Sequence, residues 1–124
     1  MNARPDTSFA EVQARIEALL RRARHNGIVA FGDVHVDLRR GVATLGAGSV
    51  SLTPKEMHLL TYLVSHAGSV VARDELLREV WGYAFAVTRT VDTHMSALRK
   101  KLENDPRRPT RLVTVRGRGY QFVA

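Results

Sequence analysis

Apolar residues recur along this chain in two rhythms, and the changes of rhythm mark out its elements. Phe9, Val12, Ile16, Leu19, Leu20 and Ala23 keep helical spacing, which predicts a helix from Ser8 to about Arg24 with one apolar face. Ser8 and Glu11 can close a capping box at its start. Arg21, Arg22 and Arg24 suit the negative end of its dipole, and Gly27 stops it. From Ile28 to Leu52 the period falls to two. Val34, Val36 and Leu38 alternate with polar residues. Val42, Thr44, Val50 and Leu52 continue the pattern, punctuated by Gly41, Gly46 and Gly48. That stretch predicts an antiparallel sheet of three or four short strands.

The helical rhythm returns at Thr53-Pro54-Lys55-Glu56, which combines an N-cap threonine, a proline at the first helical position and a capping-box glutamate. Met57, Leu60, Leu63, Val64 and Ala67 supply a core face, and Gly68 ends the helix. After an extended link, Ser69-Val70-Val71, a shorter helix is predicted from Arg73 to Trp81, with Leu76, Leu77, Val80 and Trp81 apolar. Ala72 offers no capping oxygen, so its start is weaker. Gly82 to Val87 is a loop with many apolar residues. The third helix is predicted from about Arg89 to Glu103, with Thr88 as N-cap. Its Val91, Met95, Leu98 and Leu102 fall at i, i+4, i+7 and i+11 and must face the core. The opposite side then presents Arg89, Thr93, Ser96, Ala97 and Lys100, flanked by His94, Arg99 and Lys101. Asn104-Asp105-Pro106 breaks the helix. Leu112 to Val115 and Tyr120 to Val123 read as strands around Arg116-Gly117-Arg118-Gly119, whose glycines allow positive φ. The fold class is therefore α+β. A winged helix-turn-helix (antiparallel sheet, three helices, C-terminal β-hairpin wing) occupies residues 28–124, and an extra amphipathic helix with its linker occupies residues 1–27.

Charge adds a partner to this picture. The chain carries a formal net charge of +7, and Phe85 to Ala124 alone holds nine Lys/Arg against three Asp/Glu. A basic helix followed by a basic hairpin is the footprint of a protein that grips a polyanion at two points. A merely solvated basic face is the bland alternative. There is no cysteine, hence no disulfide framework or thiolate zinc site. His25, His35, His58 and His66 show no metal-ligand spacing, so neither metal nor cofactor is expected. No Ser-His-Asp order, phosphate-binding loop or carboxylate pair points to an enzyme. No apolar run nears the ~18 residues of a membrane span. The N-terminus has no signal-peptide core. A soluble cytoplasmic protein with no membrane contact is the expectation.

Four segments in register resemble the effector domain of OmpR/PhoB-type response regulators. They are Thr53-Pro54-Lys55-Glu56 with Leu59-Leu60, Arg73 to Leu77 with Val80-Trp81, Arg89 to His94 with Leu98 to Leu102, and Thr114 to Phe122. The resemblance covers roughly Phe31 to Val123 and implies a winged helix behind a four-stranded sheet. Arg4-Pro5 and the helix from Phe9 to Arg24 are similar to the last helix of a receiver domain and its linker. A fragment and a regulator without a working receiver both fit that remnant.

The resemblance implies a sequence-specific DNA-binding regulator of transcription. Its third helix would enter the major groove, with Arg89, Thr93, His94, Ser96, Ala97, Arg99 and Lys100 on or beside the reading face. Relatives often carry an arginine at positions 96 and 97. Ser96 and Ala97 shift direct readout toward Thr93 and Lys100, since Ala97 can touch only a thymine methyl. Arg116 and Arg118 form the wing tip, with Arg116 at the minor groove and Thr114 and Tyr120 touching phosphates. For Tyr120, packing of the hairpin is the competing role. For Trp81, a place in the core competes with donation of its indole N–H to a phosphate. Asp92 reads as compensation of the helix dipole. Tyr83, Phe85 and Val87 lie in the loop that contacts RNA polymerase in this family, or else pack on the sheet. By resemblance, copies would pair head to tail and cooperatively on direct repeats about 10–10.5 base pairs apart. A protein-interaction module, in which the winged helix and N-terminal helix dock a partner, is the alternative reading.

Overall fold

Four strands, β1 (Ile28–Phe31), β2 (Val34–Asp37), β3 (Val42–Leu45) and β4 (Gly48–Ser51), form an antiparallel sheet in simple sequential order. The computed structural model describes residues 27–82 and 87–123, together with Ala14. The rest of the predicted N-terminal helix, and Tyr83 and Phe85 of the apolar loop, lie outside the described residues. The register sets Val29, Val36, Ala43 and Val50 in one row and Phe31, Val34, Leu45 and Gly48 in the next. This face meets the helices. Val36 and Ala43 are fully buried. The buried residue of β3 is thus Ala43, not Val42 or Thr44, which carry the alternation in sequence. Pairing with Val36 and Val50 overrides the side-chain pattern of a strand this short.

Helix α1 (Pro54–Ser65) starts as its sequence predicts. The Thr53 hydroxyl accepts from Glu56 N–H at 3.1 Å, and the Glu56 carboxylate accepts from Thr53 N–H at 2.9 Å. Its buried face is wider than the stripe predicted, because Leu59 is as buried as Leu60. Helix α2 (Arg73–Leu76) follows Ala72, which has no side-chain cap, and runs on as a π-helical turn (Leu77–Trp81). The wider turn draws the pairs Leu76/Leu77 and Val80/Trp81 onto one narrower arc toward the core. Gly82, at φ 67°, ends it.

Helix α3 (Thr88–Leu102) begins one residue before the predicted start. Val87 takes the extended cap conformation. Thr90, inside the first turn, supplies the capping oxygen by accepting from Val87 N–H at 3.4 Å. Thr88 is therefore a helical residue, not the cap. The stripe Val91, Met95, Leu98 and Leu102 is buried throughout, with exposures of 0–3%. Leu98→Ala is expected to destabilise the domain by roughly 2–5 kcal/mol, from lost burial plus the cavity left behind. Urea unfolding reads this directly. An unchanged midpoint would mean the helix is turned differently.

The chain closes with β5 (Leu112–Val115) and β6 (Gly119–Phe122), paired antiparallel around Arg116-Gly117-Arg118. The link after α1 lies beside this hairpin. Val71 N–H donates to Tyr120 O at 2.7 Å, and Tyr120 N–H donates to Val71 O at 2.9 Å. Phe122 is fully buried and meets Phe31 of β1 edge to face at 5.0 Å, joining hairpin to sheet.

Candidate nucleic-acid interface

With one side of α3 buried, the other is fixed by helical geometry. Arg89, Thr93, Ser96 and Lys100 are all exposed, spaced four, three and four residues apart along one stripe. Ala97 is half-buried beside it. The Thr93 hydroxyl donates back to Arg89 O at 3.0 Å, which leaves its oxygen outward as an acceptor. Among the described residues, Arg89, Lys100, Arg116 and Arg118 make no ion pair, so each keeps its charge for an outside partner.

Other predicted site residues have partners inside the protein. Arg99 Nε donates to Leu112 O at 2.8 Å, and its Nη2 donates to Thr114 Oγ1 at 2.6 Å. Its guanidinium carbon also lies 5.4 Å from the Tyr120 ring centre. Burial pulls Arg99 below the usual guanidinium range. Arg99 is a strut between α3 and the hairpin. Tyr120 is buried, at 6% exposure, and its hydroxyl donates to Asp92 Oδ1 at 2.6 Å. Burial first, then that hydrogen bond, pushes the Tyr120 hydroxyl up to about 12. The expected phosphate contact of Tyr120 gives way to packing: its one proton donor is spent on Asp92. Lys101, flanking the stripe, is spent too. It donates to Glu56 at 2.7 Å and to Ser51 O at 2.9 Å. Burial would raise the Glu56 carboxyl, but Lys101 and the cap of Thr53 outweigh it and hold Glu56 below the ordinary value.

Trp81 and His94 meet edge to face at 5.0 Å at the start of the stripe. His94 Nδ1 lies 2.9 Å from Thr90 O, a carbonyl that can only accept, so Nδ1 carries a proton and donates to it. Lys55 Nζ sits 5.7 Å from the Trp81 ring centre and donates to Val80 O. Trp81 is half-buried, between its two expected roles. Val87 is 64% exposed. At the wing, Gly117 at φ 74° turns Arg116 and Arg118 outward. An open cleft of about 260 Å³ lies between these arginines, Thr114 and Arg73.

Sequence reasoning missed three residues. Asp92 does more than face a helix dipole, since it also accepts from Arg73 Nη1 at 2.8 Å. Arg73 lies nineteen residues away and Tyr120 twenty-eight, so no local pattern points to either partner. Glu103, the last residue of the predicted helix, is buried under the approach to β5. Its carboxylate accepts from the backbone N–H groups of Thr110, Arg111 and Leu112. An acid at a helix C-terminus, where the dipole disfavours it, was the available signal. Among the described residues there is no cluster able to hold a metal, and no helix is long and apolar enough to cross a membrane.

Comparison with known proteins agrees with this geometry. The family of transcriptional regulatory protein C-terminal domains matches residues 47–122. Sensory transduction protein RegX3 of Mycolicibacterium smegmatis is 40% identical over 123 residues, covering 93% of this chain and 54% of its own length. The chain thus spans about half the length of such relatives. Response regulator DrrB of Thermotoga maritima, an OmpR/PhoB homolog, superposes with a TM-score of 0.72 at 34% identity, over 86% of this chain and 50% of DrrB. The DNA-binding domain of Klebsiella pneumoniae RstA, solved in complex with the RstA box, superposes with a TM-score of 0.67 at 35% identity, over 77% of this chain and 96% of that domain. Fold, motifs and relatives converge: this chain belongs to the family of transcriptional regulatory protein C-terminal domains, the winged-helix effector domains of OmpR/PhoB-type response regulators.

Proposed function

We propose that this chain binds double-stranded DNA and regulates transcription, with α3 in the major groove and the wing at the minor groove. The observation that carries the reading is the exposed stripe Arg89, Thr93, Ser96 and Lys100, set opposite a fully buried one and accompanied by a wing with two unpaired arginines. Thr93, Ser96 and Lys100 reach base edges, while Arg89 and Arg118 hold phosphates. Half-buried Ala97 leaves room for a thymine methyl. Arg99 and Tyr120 serve the interface from behind, by holding the wing. The RstA domain in complex with its box supports the reading by likeness of fold.

Three finer points belong to the same proposal. Residues 1–27 are a receiver-like last helix and linker, by resemblance. Copies pair head to tail on direct repeats. RNA polymerase is approached by the loop that ends at exposed Val87.

Salt tests the main claim. Each neutralised phosphate contributes about 0.9 to the slope of log K against log salt. Arg89 and Arg118, the two assigned to phosphates, together give a slope near −1.8, so affinity is expected to fall roughly tenfold between 50 and 200 mM salt. Fluorescence anisotropy on duplexes selected from genomic fragments measures it. Affinity that stays flat across this range, or absent duplex binding, sinks the reading in favour of a protein-docking module.

A further inference from the structure

Asp92 and Arg99 lie seven residues apart, two turns along the same side of α3, and both grip the wing. Arg99 holds β5 at Leu112 and Thr114. Asp92 holds β6 through the Tyr120 hydroxyl and, on its second oxygen, Arg73 at the start of α2. We propose that Asp92 is a positioning residue that fixes the wing's angle to α3, so that Arg116 and the reading stripe arrive at the DNA as one rigid unit. The inference rests on the DNA-binding reading above.

The geometry supports a positioning role over a purely stabilising one. A two-stranded hairpin is marginally stable alone and needs outside support to hold one orientation. The Val71 link and Phe31 keep β6 attached to the domain. From the exposed side of α3 the wing has the grip of Arg99, and Asp92 adds a second two turns away, which sets the angle between wing and helix. The ion pair of Asp92 with Arg73 is poorly placed to contribute much to folding. The Asp92 side chain is 35% exposed and that of Arg73 is 50% exposed, and pairs so open to solvent contribute little to stability. What the carboxylate does supply is two directed acceptors, each aimed at a different element. A wing held in place before binding loses little freedom on binding, and that saving appears in affinity.

The test is a double-mutant cycle on a duplex that the unmodified chain binds. Arg116→Ala is expected to weaken binding about tenfold or more in the unmodified background, as for an arginine in a groove. With Asp92→Asn, which leaves an amide NH2 facing one of its two donors, the same change is expected to cost under about threefold. Lys100→Ala, on the stripe, is expected to cost the same in both backgrounds. Tyr120→Phe removes only the hydroxyl and carries the cycle if melting shows that Asp92→Asn does not fold. An Arg116→Ala penalty equal in both backgrounds overturns the proposal. So does a Lys100→Ala penalty that shrinks alongside it, because Asp92 would then support the whole fold. Absent duplex binding by the unmodified chain overturns the DNA reading itself. Normal binding that ignores Arg116→Ala removes only the wing's part in it, and this coupling with it.

Discussion

Gly119→Ala is expected to cost roughly 4 kcal/mol or more and to detach the wing from the rest of the domain. Gly119 sits at φ 144°, a conformation that L side chains rarely adopt. A Cβ built there would lie 2.1 Å from Val71 O, 2.8 Å from Val71 C and 2.9 Å from Ala72 Cα. All three are backbone atoms, so no rotamer change relieves the clash. The strands must part, and the hydrogen bonds between Val71 and Tyr120 go with them. Tyr120 then leaves Asp92, and Phe122 leaves Phe31. Gly117→Ala is the control. Gly117 also has positive φ, at 74°, but a Cβ there meets nothing within 4 Å. It is expected to cost only the backbone penalty of about 1–2 kcal/mol. Chemical denaturation of both variants separates close approach from conformational strain. Equal small losses would mean that the wing does not sit against Val71.

That contrast shows what the sequence could and could not say. Both glycines were legible as turn residues, since a hairpin needs positive φ. That one of them also admits a neighbouring strand was not legible, because Val71 lies forty-eight residues earlier. The same division runs through the interface. The rotation of α3 followed from Val91, Met95, Leu98 and Leu102 alone, because one helix has one periodicity. The exposed reading stripe followed from it. Which of the basic residues are free did not follow. Arg89, Lys100, Arg99 and Lys101 look alike in sequence, yet the last two are held by Leu112 O, Thr114, Ser51 O and Glu56. Composition counts charge, whereas partners across the fold decide where charge is available. The cap of α3 was misplaced for a related reason. Thr88 and Thr90 both carry a suitable hydroxyl, and only the backbone turn at Val87 selects between them.

Glu103→Ala is expected to destabilise the domain by about 3–5 kcal/mol, the range for leaving buried hydrogen-bonding groups without their charged partner. Glu103 is 7% exposed, and its two oxygens serve the chain where it turns from α3 into β5. Oε1 accepts from Thr110 N–H at 3.0 Å, and Oε2 accepts from Arg111 N–H at 2.9 Å and Leu112 N–H at 2.6 Å. Leu112 is fully buried, so water cannot easily replace the last of these. The loss falls at the base of the wing, where Arg99 also holds Leu112 O. Glu103→Gln keeps one acceptor oxygen but turns an NH2 toward backbone donors, so it is expected to recover only part of the loss. Asp105→Ala provides the comparison. Asp105 Oδ1 also accepts a backbone N–H, from Arg107 at 3.0 Å, but in an exposed loop where water substitutes. Its loss is expected to be under about 1 kcal/mol. Thermal melting ranks the three variants, and hydrogen exchange at Leu112 N–H locates the defect. If Glu103→Ala melts no lower than Asp105→Ala, the carboxylate is not what holds the chain at the start of β5, and the wing depends on α3 through Arg99 and Asp92 alone.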